Sequence, residues 1–260
     1  MAVVSDPVWD MIRQEALEQA SKEPALASFF HVNILSHSSL ESALSFYLAQ
    51  KLESSVISSL QVREIIDEAT SSDPSIGYAV RADLKAVKDR DSACDNYYLP
   101  FLYFKGFQAL QSHRVSHWLW NQGREALAYF FQSTMALTFG VDIHPAAKLG
   151  KGIMLDHATG IVIGETTVVE DEVSIMQSVT LGGTGKDCGD RHPKIRKRVL
   201  ISAGAKILGN IEIGEGAKVG AGSVVLKSVE AHTTVAGVPA VVVGRPLTDS
   251  PALDMNHNIS

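Results

Sequence analysis

The sequence predicts an α+β chain: an all-helical N-terminal domain, residues 1–140, followed by a left-handed parallel β-helix of hexapeptide repeats, residues 141–245. The first observation is a fixed period. From Ile195 onward a branched aliphatic returns every six residues, at Ile195, Ile201, Ile207, Ile213, Val219 and Val225. A second inward candidate follows each by four positions: Val199, Ala205, Ile211, Ala217, Ser223 and Val229. A helix shows spacings of three and four and a simple strand alternates by two, so a period of six marks stacked β-helical coils. The second observation is that glycine is scarce before residue 140 and the apolar spacing there is helical.

Element by element, Asp6-Pro7 reads as an N-cap with proline at the first helical position, ahead of the stripe Trp9, Ile12, Ala16 and Leu17. Ser38 with Glu41 reads as a capping box before Leu40, Ala43, Leu44, Tyr47 and Leu48. Val62, Ile65, Ile66 and Ala69 predict a short helix that stops near Ser71-Ser72-Asp73-Pro74. Further helices are expected from Ile76 to about Lys88, over Leu102 to Trp120, and from Arg124 to Phe139. The hexapeptide period then opens in an earlier phase, at Ile143, Leu149, Leu155 and Ile161. A shift of two residues follows, giving Ile163, Val169, Ile175 and Leu181. The accompanying inward set is Ala147, Ile153, Thr159, Thr167, Val173 and Val179. Residues 182–194 break the period. They are rich in glycine with Asp, Arg, His and Lys, and read as a loop projecting from a rigid wall, where function commonly sits. Residues 246–260 have no period and are expected to form a flexible tail.

Composition narrows the function classes. The length of 260 residues suits two units, and a net charge of −6 without a basic stripe argues against a nucleic-acid binder. No apolar run reaches the ~18 residues of a membrane span. The start lacks a basic n-region and a long apolar stretch, and Cys94 and Cys188 make no disulfide framework, so a cytoplasmic location is expected.

Position arithmetic singles out His157. It holds the third place of the unit that starts at Leu155, so it is expected to face outward, unlike a core histidine. An exposed imidazole serves as an acid–base group near neutral pH because its unperturbed pKa is ~6.5. Asp142 lies fifteen residues earlier, close to one eighteen-residue coil, so adjacent coils are expected to make the two neighbours. Ala203 and Ala221 are eighteen apart and expected to stack on one outer face, leaving room for an extended ligand.

Three segments, Val141 to Ala147, Leu155 to Gly160 and the loop Gly182 to Lys194, resemble the serine acetyltransferase family, as does Tyr103 to Ala109 in the helical half. The similarity covers the chain from about Val8 to Met255. The resemblance implies transfer of acetyl from acetyl-CoA to the hydroxyl of L-serine, giving O-acetyl-L-serine and CoA, the first committed step toward cysteine. By the same resemblance His157 is the general base and Asp142 its orienter. Asp91 and Asp156 hold the serine ammonium, and Arg191 and His192 hold its carboxylate, for which a guanidinium fork is well suited. Acetyl-CoA is implied as co-substrate, with no permanently bound cofactor, along Gly183, Ala203, Gly204, Lys218, Ala221 and Gly222. The resemblance further implies inhibition by L-cysteine and a homo-hexamer built as a dimer of trimers, with acetyl-CoA held between two β-helices. It also implies a contact of the tail with O-acetylserine sulfhydrylase. Relatives that make this contact end in isoleucine, whereas here Ser260 follows Ile259, so weak binding is expected.

Two other classes are open to these residues. His144, His157 and His192 suggest a zinc site of the hexapeptide carbonic anhydrase type, but that pattern needs two ligands five residues apart and no His-x4-His occurs, so no metal is expected. A non-catalytic scaffold fits poorly with an intact His157, Asp142 and Arg191 set. Departures from the family pattern are Asp187-Cys188 in the loop and Ser202 where glycine is usual.

Overall fold

The computed structural model describes residues 6–185 and 188–259. Among the described residues eight α-helices precede the solenoid: α1 (Pro7–Lys22), α2 (Ala27–Phe30), α3 (Leu40–Leu52), α4 (Ser59–Ser72), α5 (Pro74–Arg90), α6 (Tyr98–Tyr103), α7 (Lys105–Asn121) and α8 (Glu125–Phe139). Local chemistry explains their starts. Asp6 accepts from Trp9 N at 3.3 Å with Pro7 at the first position, and Asp73 caps α5 in the same manner. Ser58 and Gln61 form a reciprocal capping box on α4. The box expected at Ser38 and Glu41 shifts by one residue. Ser39 is the cap and accepts from Ser42 N, while Glu41 turns away to pair with Arg81 at 2.6 Å.

The long helix expected from Leu102 to Trp120 is two helices broken at Phe104. A hydrogen-bonded connection of 3-10 and π turns between α1 and α3, Pro24–Leu26 and His31–Leu35, has no periodicity to announce it. Leu17 is exposed, so the α1 stripe ends at Ala16.

Gly140 closes α8 in the left-handed conformation at φ 68°, and the first strand begins at Val141. The chain then winds as a parallel β-helix with three faces. Face 1 stacks Val141–Ile143, Ile161–Ile163, Thr180–Gly182, Lys206–Leu208 and Val224–Val225. Face 2 stacks Lys148–Leu149, Val168–Val169, Lys194–Ile195 and Glu212–Ile213. Face 3 stacks Met154–Asp156, Ser174–Met176, Leu200–Ile201, Lys218–Val219 and Thr234–Gly237, and Ala240–Gly244 closes it antiparallel. The predicted inward ladder Ile143, Ile163, Leu181, Ile207 and Val225 is at most 2% exposed. Removing such branched side chains from water is worth ~1.5–3 kcal/mol each. One inward assignment is wrong: Thr159 is exposed, and Ala158, fully buried, fills its place.

Helices and solenoid share one apolar core. Asp83 of α5 is fully buried at their junction. It accepts from Gln111 Nε2 at 3.0 Å and Arg114 Nη2 at 2.7 Å on α7, and from Ile153 N at 3.0 Å on the solenoid. Arg114 also donates to Gly150 O at 2.7 Å. Such a pair holds register, since removing one partner leaves an uncompensated buried charge.

The segment after Arg245 was expected to be free; in this structure it lies along face 3. Ala252 N donates to Arg198 O, Ser174 Oγ donates to Ala252 O at 2.8 Å, and Met255 packs with Val87, Cys94 and Met154.

Candidate active site

The two-residue shift in the hexapeptide phase is a physical feature. Val141 pairs with Ile161 and Leu155 with Ile175, so the first coil has twenty residues; the coil from Ile207 to Val225 has eighteen, and the one that carries the 182–194 loop, from Leu181 to Ile207, twenty-six. Between faces 3 and 1, six residues separate Ile175 from Leu181 but eight separate Leu155 from Ile163. The enlarged corner is Asp156 to Gly160. His157 and Ala158 take φ of 53° and 61° there, a conformation non-glycine residues rarely adopt. Glu172, Ser178 and Arg198 at other corners share this conformation, at φ of 62°, 60° and 60°, so it is how the solenoid turns; two such residues in succession occur at this corner. The corner carries His157 out of the wall with 72% of its side chain exposed.

A cavity of about 480 Å³ opens beside it, lined by Asp91, Asp156, His157 and the start of α7. The helix reaches so close because residue 106 is glycine: a Cβ there would stand 2.0 Å from Leu155 O. Asp91 caps the end of α5, and Asp156 ends a face-3 strand. Burial pushes the Asp156 carboxyl above the usual carboxylate range, His157 draws it back, and the nearby charge of Asp91 pushes it further up. Two carboxylates converging in a partly dry cavity make a site for an ammonium group.

Asp142 is not brought to His157 in the manner the coil arithmetic suggested. The coil is longer at this point, and Asp142 sits in register with Val162. Its Oδ1 accepts from Gln132 Nε2 of α8 at 2.7 Å. Among the described residues the one carboxylate within 4 Å of the imidazole is Asp156, at 3.9 Å.

Arg191 and His192 lie at a different corner, between faces 1 and 2. Arg191 pairs with Glu165 at 2.5 Å and thereby holds that carboxyl below its usual range. His192 is buried, and burial lowers its pKa. Gly183 belongs to this corner: a Cβ there would meet Arg191 Cγ and His192 Nε2 at 3.7 Å. Face 1 therefore separates the two groups of predicted serine contacts within one chain.

Ala203, Gly204, Ala221 and Gly222 stack above the His157 corner, as backbone bonds from Gly204 N to Gln177 O and from Gly222 N to Ala203 O show. Gly204 and Gly222 take φ of 73° and 67°, and no atom stands within 4 Å of a Cβ at Gly222, so this column is open. Lys218 is elsewhere, on face 3, buried beneath the tail. Its Nζ donates to Asn258 O, and burial lowers its pKa. His257 of the tail contacts Ser202 Oγ at 3.0 Å.

Sequence reasoning missed Glu165, Thr166, Gln132 and His257. The phase shift was the one signal that marked the enlarged corner. No group of three or more His, Cys, Asp or Glu among the described residues is arranged to hold a metal.

A family model described as "Serine acetyltransferase, N-terminal" matches residues 8–112, and one described as "Bacterial transferase hexapeptide (six repeats)" matches residues 192–227. The chain is 59% identical over 253 residues to serine acetyltransferase of Escherichia coli (strain K12), covering 97% of this chain and 93% of that protein.

The chain belongs to the serine acetyltransferase family.

As a member of the serine acetyltransferase family it is an acyltransferase enzyme. The serine acetyltransferase structure from Vibrio cholerae O1 biovar El Tor N16961 superposes with a TM-score of 0.96 at 61% identity, covering 97% of this chain and 98% of that one. A serine acetyltransferase in complex with cysteine aligns at TM-score 0.95 and 56% identity over 97% and 98%. The Brucella abortus strain S19 family member in complex with coenzyme A aligns at 0.91 and 52% over 93% and 96%. No helix among the described residues is long and apolar enough to cross a membrane.

Proposed function

We propose that this enzyme transfers the acetyl group of acetyl-CoA to the hydroxyl of L-serine, with His157 as general base. The observation that carries the reading is the convergence of Asp91, Asp156 and exposed His157 on one cavity at the enlarged corner. Asp91 and Asp156 take the serine ammonium, which offsets the repulsion and burial that raise Asp156. The imidazole removes the hydroxyl proton as the oxygen attacks the thioester carbonyl. The tetrahedral intermediate then expels CoA thiolate, which recovers the proton from the imidazolium. General-base catalysis of this type contributes ~10²–10⁴-fold. Asp142 is assigned as the orienter of the ring on the family resemblance; its Oδ1 is held by Gln132 Nε2 in this structure, so the role requires the imidazole to turn toward it.

Arg191 and His192 hold the serine carboxylate. Because they stand across face 1 from His157 in one chain, the complete site forms where the first corner of one copy meets the second corner of another, consistent with a trimer-based hexamer. Acetyl-CoA runs along the open column of Ala203, Gly204, Ala221 and Gly222, with Gly183 at the facing corner. Its phosphates reach Lys218 once the tail leaves face 3. L-Cysteine carries the same ammonium and carboxylate and competes with serine for these groups. The location is cytoplasmic, and the tail forms a weak contact with O-acetylserine sulfhydrylase. Titrating the sulfhydrylase with this chain and with one lacking residues 246–260 checks that contact; equal affinity removes the tail from it.

The reaction is tested by CoA release with L-serine. His157→Ala is expected to lower kcat by ~10²–10⁴-fold with acetyl-CoA affinity retained, because the side chain faces outward. Asp142→Asn is expected to cost less. Near-normal turnover of His157→Ala rules the base assignment out.

A further inference from the structure

His192 meets Thr166 at its ring Nδ1 and at its backbone N. Thr166 N donates to His192 Nδ1 at 3.2 Å, and Thr166 Oγ1 lies 2.9 Å from the same nitrogen. That hydroxyl oxygen already accepts from Arg191 N at 3.0 Å and His192 N at 3.1 Å. With both acceptor sites filled, the hydroxyl is left with one proton, for which His192 Nδ1 and the Asp190 carboxylate compete. The Thr166 N–H donates to Nδ1 in either case, so Nδ1 is the bare nitrogen of the ring. The ring proton sits on Nε2, which has no hydrogen-bond partner among the described residues. Gly164 makes the placement possible: a Cβ there would lie 2.1 Å from both Cδ2 and Nε2 of the ring.

We propose that Thr166 is a positioning residue that fixes His192 as the neutral Nε2–H tautomer, so that the ring meets the serine carboxylate as a hydrogen-bond donor. The same hydroxyl gathers the Arg191 and His192 backbone amides, so one side chain sets the position of both carboxylate-binding residues. Arg191 supplies the charge and His192 a directed neutral donor. A carboxylate accepts from both, whereas a neutral hydroxyl compound of serine's size satisfies neither. The inference rests on the reading of Arg191 and His192 as carboxylate contacts. A depressed basicity of His192, caused by burial and by Arg191, agrees with a neutral ring.

The test compares His192→Ala, Thr166→Val, Thr166→Ser and Gly164→Ala in steady-state kinetics, with acetyl-CoA binding as the control for folding. Thr166→Val is expected to raise the serine KM about ten-fold, the equivalent of ~1.4 kcal/mol, with kcat and the acetyl-CoA KM within about two-fold of the parent. Thr166→Ser, which keeps the hydroxyl, is expected to restore the serine KM. Gly164→Ala, which displaces the ring without touching Thr166, is expected to raise it. A Thr166→Val serine KM equal to the parent's, while His192→Ala raises it, overturns the positioning role and leaves the carboxylate site standing. Loss of kcat and acetyl-CoA binding in Thr166→Val, unrelieved in Thr166→Ser, shows a general structural role and also overturns it. An unchanged serine KM in His192→Ala removes the carboxylate reading itself.

Discussion

Single residues here are tuned by burial as much as by partners. His113 on α7 is 1% exposed, and its Nδ1 has no hydrogen-bond partner. Burial drives its pKa well below the ordinary value, His117 and Arg114 push the same way, and a bond to the backbone of Ala147 opposes them. The native state therefore keeps this ring neutral in a pH range where the unfolded chain protonates it. Stability rises with pH wherever the unfolded state binds more protons, by up to ~1.4 kcal/mol per pH unit for each such group. The contribution is complete above the unfolded value of ~6.5 and is lost as pH falls from there toward the folded pKa. His37, His144, His192 and His257, all lowered by burial, act with the same sign. Urea unfolding at pH 7.5, 6.5 and 5.5 is expected to show a shallower acid loss for His113→Phe than for the parent; identical slopes would assign the pH dependence to the other histidines.

At the scale of elements, the site is a corner and a helix end pressed together. The extra residues of the corner bring His157 out, and α7 approaches because Gly106 carries no side chain. Gly106→Ala places a methyl 2.0 Å from Leu155 O, against backbone that cannot rotate away. Overpacking of this kind costs ~1–3 kcal/mol. We expect the thermal midpoint to fall and the serine KM to rise together, since Leu155, Asp156 and His157 move as α7 retreats. A variant with parental stability and KM would show that the contact is readily relaxed. The corner between faces 2 and 3 is built differently. Arg196 bridges Glu170 and Glu212, and Arg198 bridges Glu172 and Glu215, linking successive coils by exposed ion pairs. Exposed pairs are individually worth ~0–1 kcal/mol, so this ladder favours register more than it adds stability.

At the scale of the whole molecule, the two groups proposed to hold serine, Asp91 with Asp156 and Arg191 with His192, lie on opposite sides of face 1 in one chain. The expected consequence is complementation. His157→Ala and Arg191→Ala are each expected to be nearly inactive as uniform assemblies. Subunits mixed by co-expression are expected to regain activity, because some interfaces then join an intact His157 corner to an intact Arg191 corner. CoA release from the mixed preparation measures it. Activity no greater than the sum of the two parents would mean that each chain completes its own site. The tail bears on the same scale: while Asn258 and His257 hold Lys218 and Ser202, face 3 is covered beside the column proposed for acetyl-CoA.

The solenoid was legible in the sequence because a coil buries the same two positions every six residues, and those positions tolerate only small or branched side chains. Helix starts were legible where a cap such as Asp6 or Asp73 precedes a proline. The family resemblance rested on local motifs, and Asp91, Asp156 and His157 do share one cavity. The sequence did not determine what depends on distance across coils. Ser38 and Ser39 compete for one cap, and only the Glu41–Arg81 pairing across helices decides between them. Thr159 and Ala158 compete for one inward place, settled by a corner whose two extra residues change the path of the backbone. The partner of Asp142 follows from coil length and the approach of α8, and the placement of His192 from Gly164 and Thr166 twenty-six or more residues earlier. A hexapeptide period records which side chains face the core, because burial acts position by position. It carries no record of which outward residues meet, because that is set by how corners, helices and copies pack.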